Sequence, residues 1–146
     1  MPITFKLGTD HIDFDSVSKW LEEAYWSPGI TKDEVILGAG NSSLVVGGFK
    51  ESGKQVSFLR VLSDKVRFAY ILDVIVDPTW RRQGIGTAMV RYAMEHPEMS
   101  LVYQWLLRTR DAHGVYARLG FVPLASPDQW LIIQGTREDR SQFQAP

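Results

Sequence analysis

The segment Arg81-Arg82-Gln83-Gly84-Ile85-Gly86 lies between a run of apolar residues and a helical pattern. The first turn of a helix leaves its backbone N–H groups unpaired and carries the positive end of the helix dipole. Glycines let the backbone come close to an anion. With two arginines at the rim, such a segment suits a phosphate or a pyrophosphate. Two glycines can also make nothing more than a turn before a helix, because short glycine motifs are common. Two more specific phosphate motifs are ruled out by position. Thr87-Ala88 stands where a P-loop has its Lys-Ser/Thr pair, and Met89 stands where a Rossmann fingerprint needs its third glycine.

Asp73 is the second residue with chemistry in it. It interrupts the otherwise apolar Tyr70-Ile71-Leu72-Asp73-Val74-Ile75-Val76. A carboxylate in an apolar strand is costly unless it is paired or hydrogen-bonded. Such a group is a candidate base, or else a structural ion pair, for which Arg67, Arg108 and Arg110 are candidate partners. His113, on a short predicted helix, is another candidate base or substrate contact; a lone histidine there is more often a surface or capping residue. Histidines 11, 96 and 113 have no ligand spacing, so no metal is expected.

The elements that must position these residues follow from periodicity. Residues 3–7 alternate apolar and polar and read as an edge strand. Residues 13–26 read as a helix with Val17, Trp20, Leu21, Ala24 and Tyr25 on one face and Asp13 or Asp15 as cap. Residues 32–37 predict a second helix, and Gly38-Ala39-Gly40-Asn41 a turn. Strands are predicted over 43–50, 55–62 and 67–76, the first two joined by a hairpin at Glu51-Ser52-Gly53-Lys54. A helix over 85–95 follows the glycine loop. A buried strand over 101–107 comes next, then a short helix over 112–119 that stops at Gly120, and closing strands over 121–124 and 130–134. This order predicts a single α+β domain over 1–135. It would have three layers, with one mixed, mostly antiparallel sheet of six to seven strands flanked by helices. Residues 136–146 read as a polar C-terminal tail.

Composition limits the function classes. The chain has 146 residues, 45% apolar and 23% charged, with a net charge of −1, as expected for one globular core. That charge gives no reason to expect a nucleic acid or an anionic membrane as partner. The absence of cysteine excludes disulfides, thiol nucleophiles and thiolate metal sites. No apolar run has the length of a bilayer span or of a signal-peptide core, so a cytoplasmic protein is the expectation.

At this point a resemblance enters. Val74-Ile75-Val76-Asp77-Pro78-Thr79-Trp80-Arg81-Arg82-Gln83-Gly84-Ile85-Gly86-Thr87-Ala88-Met89 resembles the central motif of the GNAT family of N-acetyltransferases. That motif is an apolar strand, a short turn, then Arg/Gln-x-x-Gly-x-Gly/Ala. Ala112-His113-Gly114-Val115-Tyr116-Ala117-Arg118-Leu119-Gly120-Phe121 resembles the family's second signature, a tyrosine ahead of Gly-Phe. The resemblance implies acetyl-CoA as cosubstrate, no metal, and transfer of acetyl to a primary amine of a small molecule or protein. It implies that backbone groups of Val74, Ile75 and Val76 pair with the pantetheine arm. It likewise implies that Arg81, Arg82, Gln83, Gly84, Ile85, Gly86 and Thr87 hold the pyrophosphate, and that Tyr116 acts as general acid toward the CoA sulfur. It puts Tyr25 and Trp26 on the acceptor wall, with His113 as a further substrate contact. Members often dimerise, so a homodimer is an expectation on that ground alone. Two positions depart from the pattern. Thr109 stands where many members have a pantetheine-binding asparagine, and Leu72-Asp73 replaces the family's Glu-Asp, leaving Asp73 as the carboxylate for the amine proton. A non-catalytic acyl-CoA-binding or sensing module therefore stays open beside the enzyme.

Overall fold

The computed structural model describes residues 2–135. Five strands are present: β1 (Thr4–Leu7), β2 (Leu44–Phe49), β3 (Gln55–Ser63), β4 (Ala69–Val76) and β5 (Trp105–Leu106). They lie side by side in chain order. The first four are antiparallel to their neighbours, and β5 is parallel to β4. The helices are α1 (Phe14–Glu23), α2 (Lys32–Gly40), α3 (Ile85–Met94) and α4 (His113–Ala117).

Local chemistry sets the helix bounds. The Asp13 carboxylate accepts the Ser16 N–H at 3.2 Å and starts α1, and Val17, Trp20 and Leu21 then fall on one buried stripe. Thr31 and Glu34 cap each other's backbone at the start of α2. The glycine-rich stretch after Leu37 forms the last turn of α2, not the predicted turn. Ala39 is buried there, and side chains take up the terminal carbonyls: Asn41 Nδ2 donates to Leu37 O and Ser42 Oγ to Gly38 O, both at 2.8 Å.

The sheet divides two apolar cores. Leu44, Val46, Leu59, Val61, Ile71, Met89 and Val90 fill the α3 side; Val17, Trp20, Leu21, Val35, Val45, Phe58 and Ile75 fill the α1–α2 side. The alternation along β2 and β3 is the period-2 pattern of a sheet covered on both faces. In β4 the phase breaks. Ile71 and Ile75 are an even number apart, yet they point into opposite cores. The register shows why: Phe58 pairs with Ile75 but Arg60 with Leu72, so β4 carries one extra residue, a β-bulge. Asp73 takes it up with φ 57°, a conformation that aspartate tolerates better than most side chains.

Among the described residues the sheet has five strands rather than six to seven. The predicted strand over 101–107 shrinks to Trp105–Leu106. Met99 fills the core instead and a 3-10 turn carries the chain past it, leaving Leu101 and Tyr103 exposed. The predicted closing strands over 121–124 and 130–134 are not formed; Val122, Leu131, Ile132 and Ile133 are exposed, and among the described residues no strand lies beside them to pair with. An apolar run predicts a buried strand, but burial needs a partner surface that sequence does not supply. The predicted tail, 136–146, lies outside the described residues.

Candidate active site

Two parallel pairs join β5 to β4, Ala69 with Trp105 and Tyr70 with Leu106. Beyond them the two strands part, so among the described residues β4 has an open edge from Ile71 to Val76. Which residues face it follows from the ladder. Asp77 N–H donates to Val56 O of β3 at 2.8 Å, and backbone groups alternate between the two edges of a strand. Val76 and Val74 therefore present their N–H and C=O groups to the open side. The Arg81 side chain confirms this for Val76: its Nε donates to Val76 O at 3.0 Å. Arg81, expected at the phosphate, is thus anchored on the strand end, and Ile75 faces β3.

The open edge leads into the glycine loop. Asp77 closes the 3-10 turn Pro78–Trp80 by accepting the N–H and Oγ1–H of Thr79, both at 2.9 Å. Arg82 follows at φ 65°. Gly84, at φ 77°, is the N-cap of α3, and no side chain caps the helix. The N–H groups of Ile85, Gly86 and Thr87 thus have no partner inside the helix. A Cβ on Gly86 would lie 3.7 Å from Val76 Cγ2, so glycine here keeps open the corner between strand and helix. Arg81, Arg82, Gln83 and Gly84 are exposed around it.

Asp73 is held at both oxygens. Arg60 Nε of β3 donates to Oδ2 at 2.8 Å, and Trp26 Nε1 donates to Oδ1 at 3.1 Å. The pair is largely shielded, with side-chain exposures of 20% for Arg60 and 12% for Asp73. The partner is none of the three arginines considered from sequence. Arg60 was legible by the logic that singled out Asp73, being the one charge in the apolar run Val56–Leu62, but its pairing depends on the bulge.

Tyr25 and Trp26 follow α1, edge to face with centroids 5.0 Å apart. Trp26 leans on β4 through Asp73. Tyr25 reaches the other side of the cleft: its hydroxyl accepts the Arg110 N–H at 3.0 Å, and the Arg110 guanidinium lies 3.7 Å over its ring. The loop thus touches β4 at Asp73 and the segment after β5 at Arg110. Thr109 Oγ1 accepts the Ala112 N–H at 3.0 Å and shapes the turn into α4. Tyr116 on α4 packs against Phe121, centroids 5.9 Å apart. Burial, with a smaller effect from Tyr25, raises its phenol above the usual 10. His113 is exposed at the start of α4 and apart from these contacts. Among the described residues no group of three His, Cys, Asp or Glu could hold a metal ion, and no helix is long and apolar enough to cross a membrane.

The sheet splays here and delivers an open strand edge to an uncapped helix start, an arrangement suited to an extended, phosphate-bearing ligand. The model of the acetyltransferase (GNAT) domain matches residues 41–123. A GNAT-family structure from Xanthomonas campestris pv. campestris shares 34% identity over 92% of this chain and 95% of its own, with a TM-score of 0.86. An acetyltransferase structure from Deinococcus radiodurans R1 is 21% identical over 94% and 90% of the two chains, with a TM-score of 0.73. Glucosamine-6-phosphate N-acetyltransferase from Arabidopsis thaliana is 19% identical over 91% and 97%, with a TM-score of 0.61; at these last two identities the likeness is one of fold. A search of the curated proteins finds no match. The chain belongs to the GNAT family of acetyltransferases, which as a family uses acetyl-CoA.

Proposed function

We propose that the chain transfers acetyl from acetyl-CoA to a primary amine of a small molecule or protein, by direct attack of the amine. The observation that carries this reading is the open edge of β4 running directly into the uncapped start of α3. Val74 and Val76 would pair with the amides of the pantetheine arm, with Thr109 across the cleft. The N–H groups of Ile85, Gly86 and Thr87, with Gln83, Gly84 and the Arg82 side chain, would hold the pyrophosphate. Arg81 would act mainly by fixing the strand end. Bound acetyl-CoA supplies an acyl group already activated as a thioester.

The residues around the cleft then manage protons. A new N–C bond forms as the C–S bond breaks, so the amine must lose a proton and the sulfur must gain one. Tyr116 is the donor: a phenol carries its proton at neutral pH, burial pushes this one further that way, and a positioned acid of this kind is worth about 10²–10⁴-fold in rate. Water or the exposed His113 takes the amine proton. Tyr25 and Trp26 form an aromatic wall for the acceptor.

A second reading, an acyl-CoA-binding module without turnover, is favoured by one observation: both oxygens of Asp73, the carboxylate of the central strand, already accept hydrogen bonds from Arg60 and Trp26. The two readings separate on incubation with acetyl-CoA and a panel of amines, following free thiol. Turnover that falls about 100-fold or more in Tyr116→Phe supports transfer. CoA binding with no turnover of any amine supports the module.

A further inference from the structure

Asp73 is joined to more of the molecule than a base would need. The Arg60 guanidinium that binds its Oδ2 also points Nη1 at Gly38 O, 3.4 Å away, and at Ser42 Oγ, 3.5 Å away. Gly38 lies in the last turn of α2 and Ser42 just beyond its cap. The other oxygen, Oδ1, receives the Trp26 indole N–H. One guanidinium therefore ties together β3, the bulged residue of β4 and the last turn of α2, and reaches the acceptor-side loop through the carboxylate. α2 makes room for it. A Cβ on Gly38 would lie 3.3 Å from Arg60 Nη1, closer than ordinary contact, which accounts for a glycine inside a helix where it is otherwise unfavourable. The bulge supplies the rest. With φ 57° at Asp73, the strand turns its carboxylate toward Arg60 instead of continuing the alternation.

We infer that Arg60 is a positioning residue. Through Asp73 it fixes Trp26 against β4 and so sets the acceptor wall, and Asp73 serves this frame and not the amine proton. The inference rests on the acetyl-transfer reading for its kinetics but not for its structural content. Lysine cannot replace Arg60, because a single ammonium cannot span the carboxylate and the α2 carbonyl as a planar fork does. The pair is also separate from the cofactor side, since none of its partners lies in the glycine loop or on the open edge at Val74 and Val76.

The test uses Arg60→Met, Asp73→Asn and, as the mildest perturbation, Gly38→Ala, which touches neither cleft nor loop and covers the event that Arg60→Met fails to fold. Two readouts are taken on each folded variant. The first is the Trp26 indole N–H signal in a ¹H–¹⁵N spectrum, identified by its loss in Trp26→Phe. The second is steady-state kinetics with the best amine of the panel, beside CoA affinity by calorimetry. The expected result is a shifted or broadened Trp26 signal in all three variants, with the other four indole signals of the five tryptophans in place. With it goes an acceptor KM raised about tenfold, a CoA Kd within twofold, and an unchanged shape of the pH–rate profile. A Trp26 signal unmoved in Gly38→Ala and Asp73→Asn overturns the inference. So does a loss confined to kcat in Asp73→Asn that removes one limb of the pH profile, which would make Asp73 the base. Should the wild-type chain turn over no amine, the transfer reading fails, and the indole signal alone still decides the inference.

Discussion

Gly86→Ala should move stability and ligand affinity in opposite directions. Gly86 occupies the second position of α3, and an added Cβ meets only Val76 Cγ2, at 3.7 Å, which is ordinary contact. The protein itself therefore accommodates the methyl group. Alanine is favoured over glycine in a helix by about 0.5–1 kcal/mol. In a domain of this size that raises Tm by about 1–4 °C. The same methyl group fills the corner between the end of β4 and the start of α3, where the phosphates are assigned. Loss of one hydrogen bond to a charged group costs about 1.5–3 kcal/mol, which is about 10- to 100-fold in Kd. Thermal unfolding of the free protein gives the first number and calorimetric titration with CoA the second. Gly86→Val should bind CoA more weakly still, now with some loss of stability because its branched side chain disfavours a helix. Unchanged CoA affinity in both variants would remove the phosphate assignment from this junction. A destabilised alanine variant would show that the corner is tighter than its contacts indicate.

The neighbouring glycine differs. Gly84→Ala places a side chain in open space but at φ 77°, so backbone strain alone should lower stability by about 1 kcal/mol; an unchanged Tm in thermal unfolding would mean that the cap relaxes. Tyr116 should leave a mark on the pH dependence of folding. The folded chain holds a phenolic proton above 10 that the unfolded chain releases, so its contribution is intact below about pH 10 and lost as pH rises beyond it. Denaturant titrations above that pH should show a smaller decline in Tyr116→Phe than in the wild type. Tyr25→Phe keeps the ring under Arg110 but removes the acceptor for the Arg110 N–H. A severalfold rise in acceptor KM with CoA affinity unchanged is expected, and equal acceptor kinetics in the two proteins would separate this contact from the acceptor side.

Those predictions sort by how visible their residues are in the sequence. The proposed phosphate side is built from backbone, and backbone conformation is written in residue types: two glycines, an apolar run and a helical stripe mark the end of β4 and the start of α3. The helices are legible for the same reason, since the Asp13 cap and the apolar stripes of α1 and α3 are local signals. Strands at the far end are not. Residues 101–107 and 130–134 have strand composition, but pairing needs a neighbour, and β4 is paired there over two residues only. Gly38 misleads in the opposite sense, because a glycine that makes room for a distant guanidinium looks the same in sequence as one that makes a turn.

The acceptor side depends on the least legible event of all, a change of phase in one strand. Had β4 kept its alternation from Ile71, Ile75 would share the α3 core with it, and Asp73, an even number of residues from both, would point its carboxylate into that core as well. The extra residue moves Ile75 to the other core and leaves the carboxylate to Arg60 and Trp26. Leu72-Asp73-Val74 reads as an unbroken strand, so from sequence the aspartate presents itself as a lone charge in search of a chemical role. The bulge gives it two partners and a mechanical one. Loss of the family's glutamate at Leu72 then has a physical counterpart: the position carries an apolar residue opposite Arg60, and the one carboxylate kept beside it neutralises that arginine. The same bulge that turns this carboxylate to Arg60 also brings it to Trp26, on the wall against which we propose an amine lies.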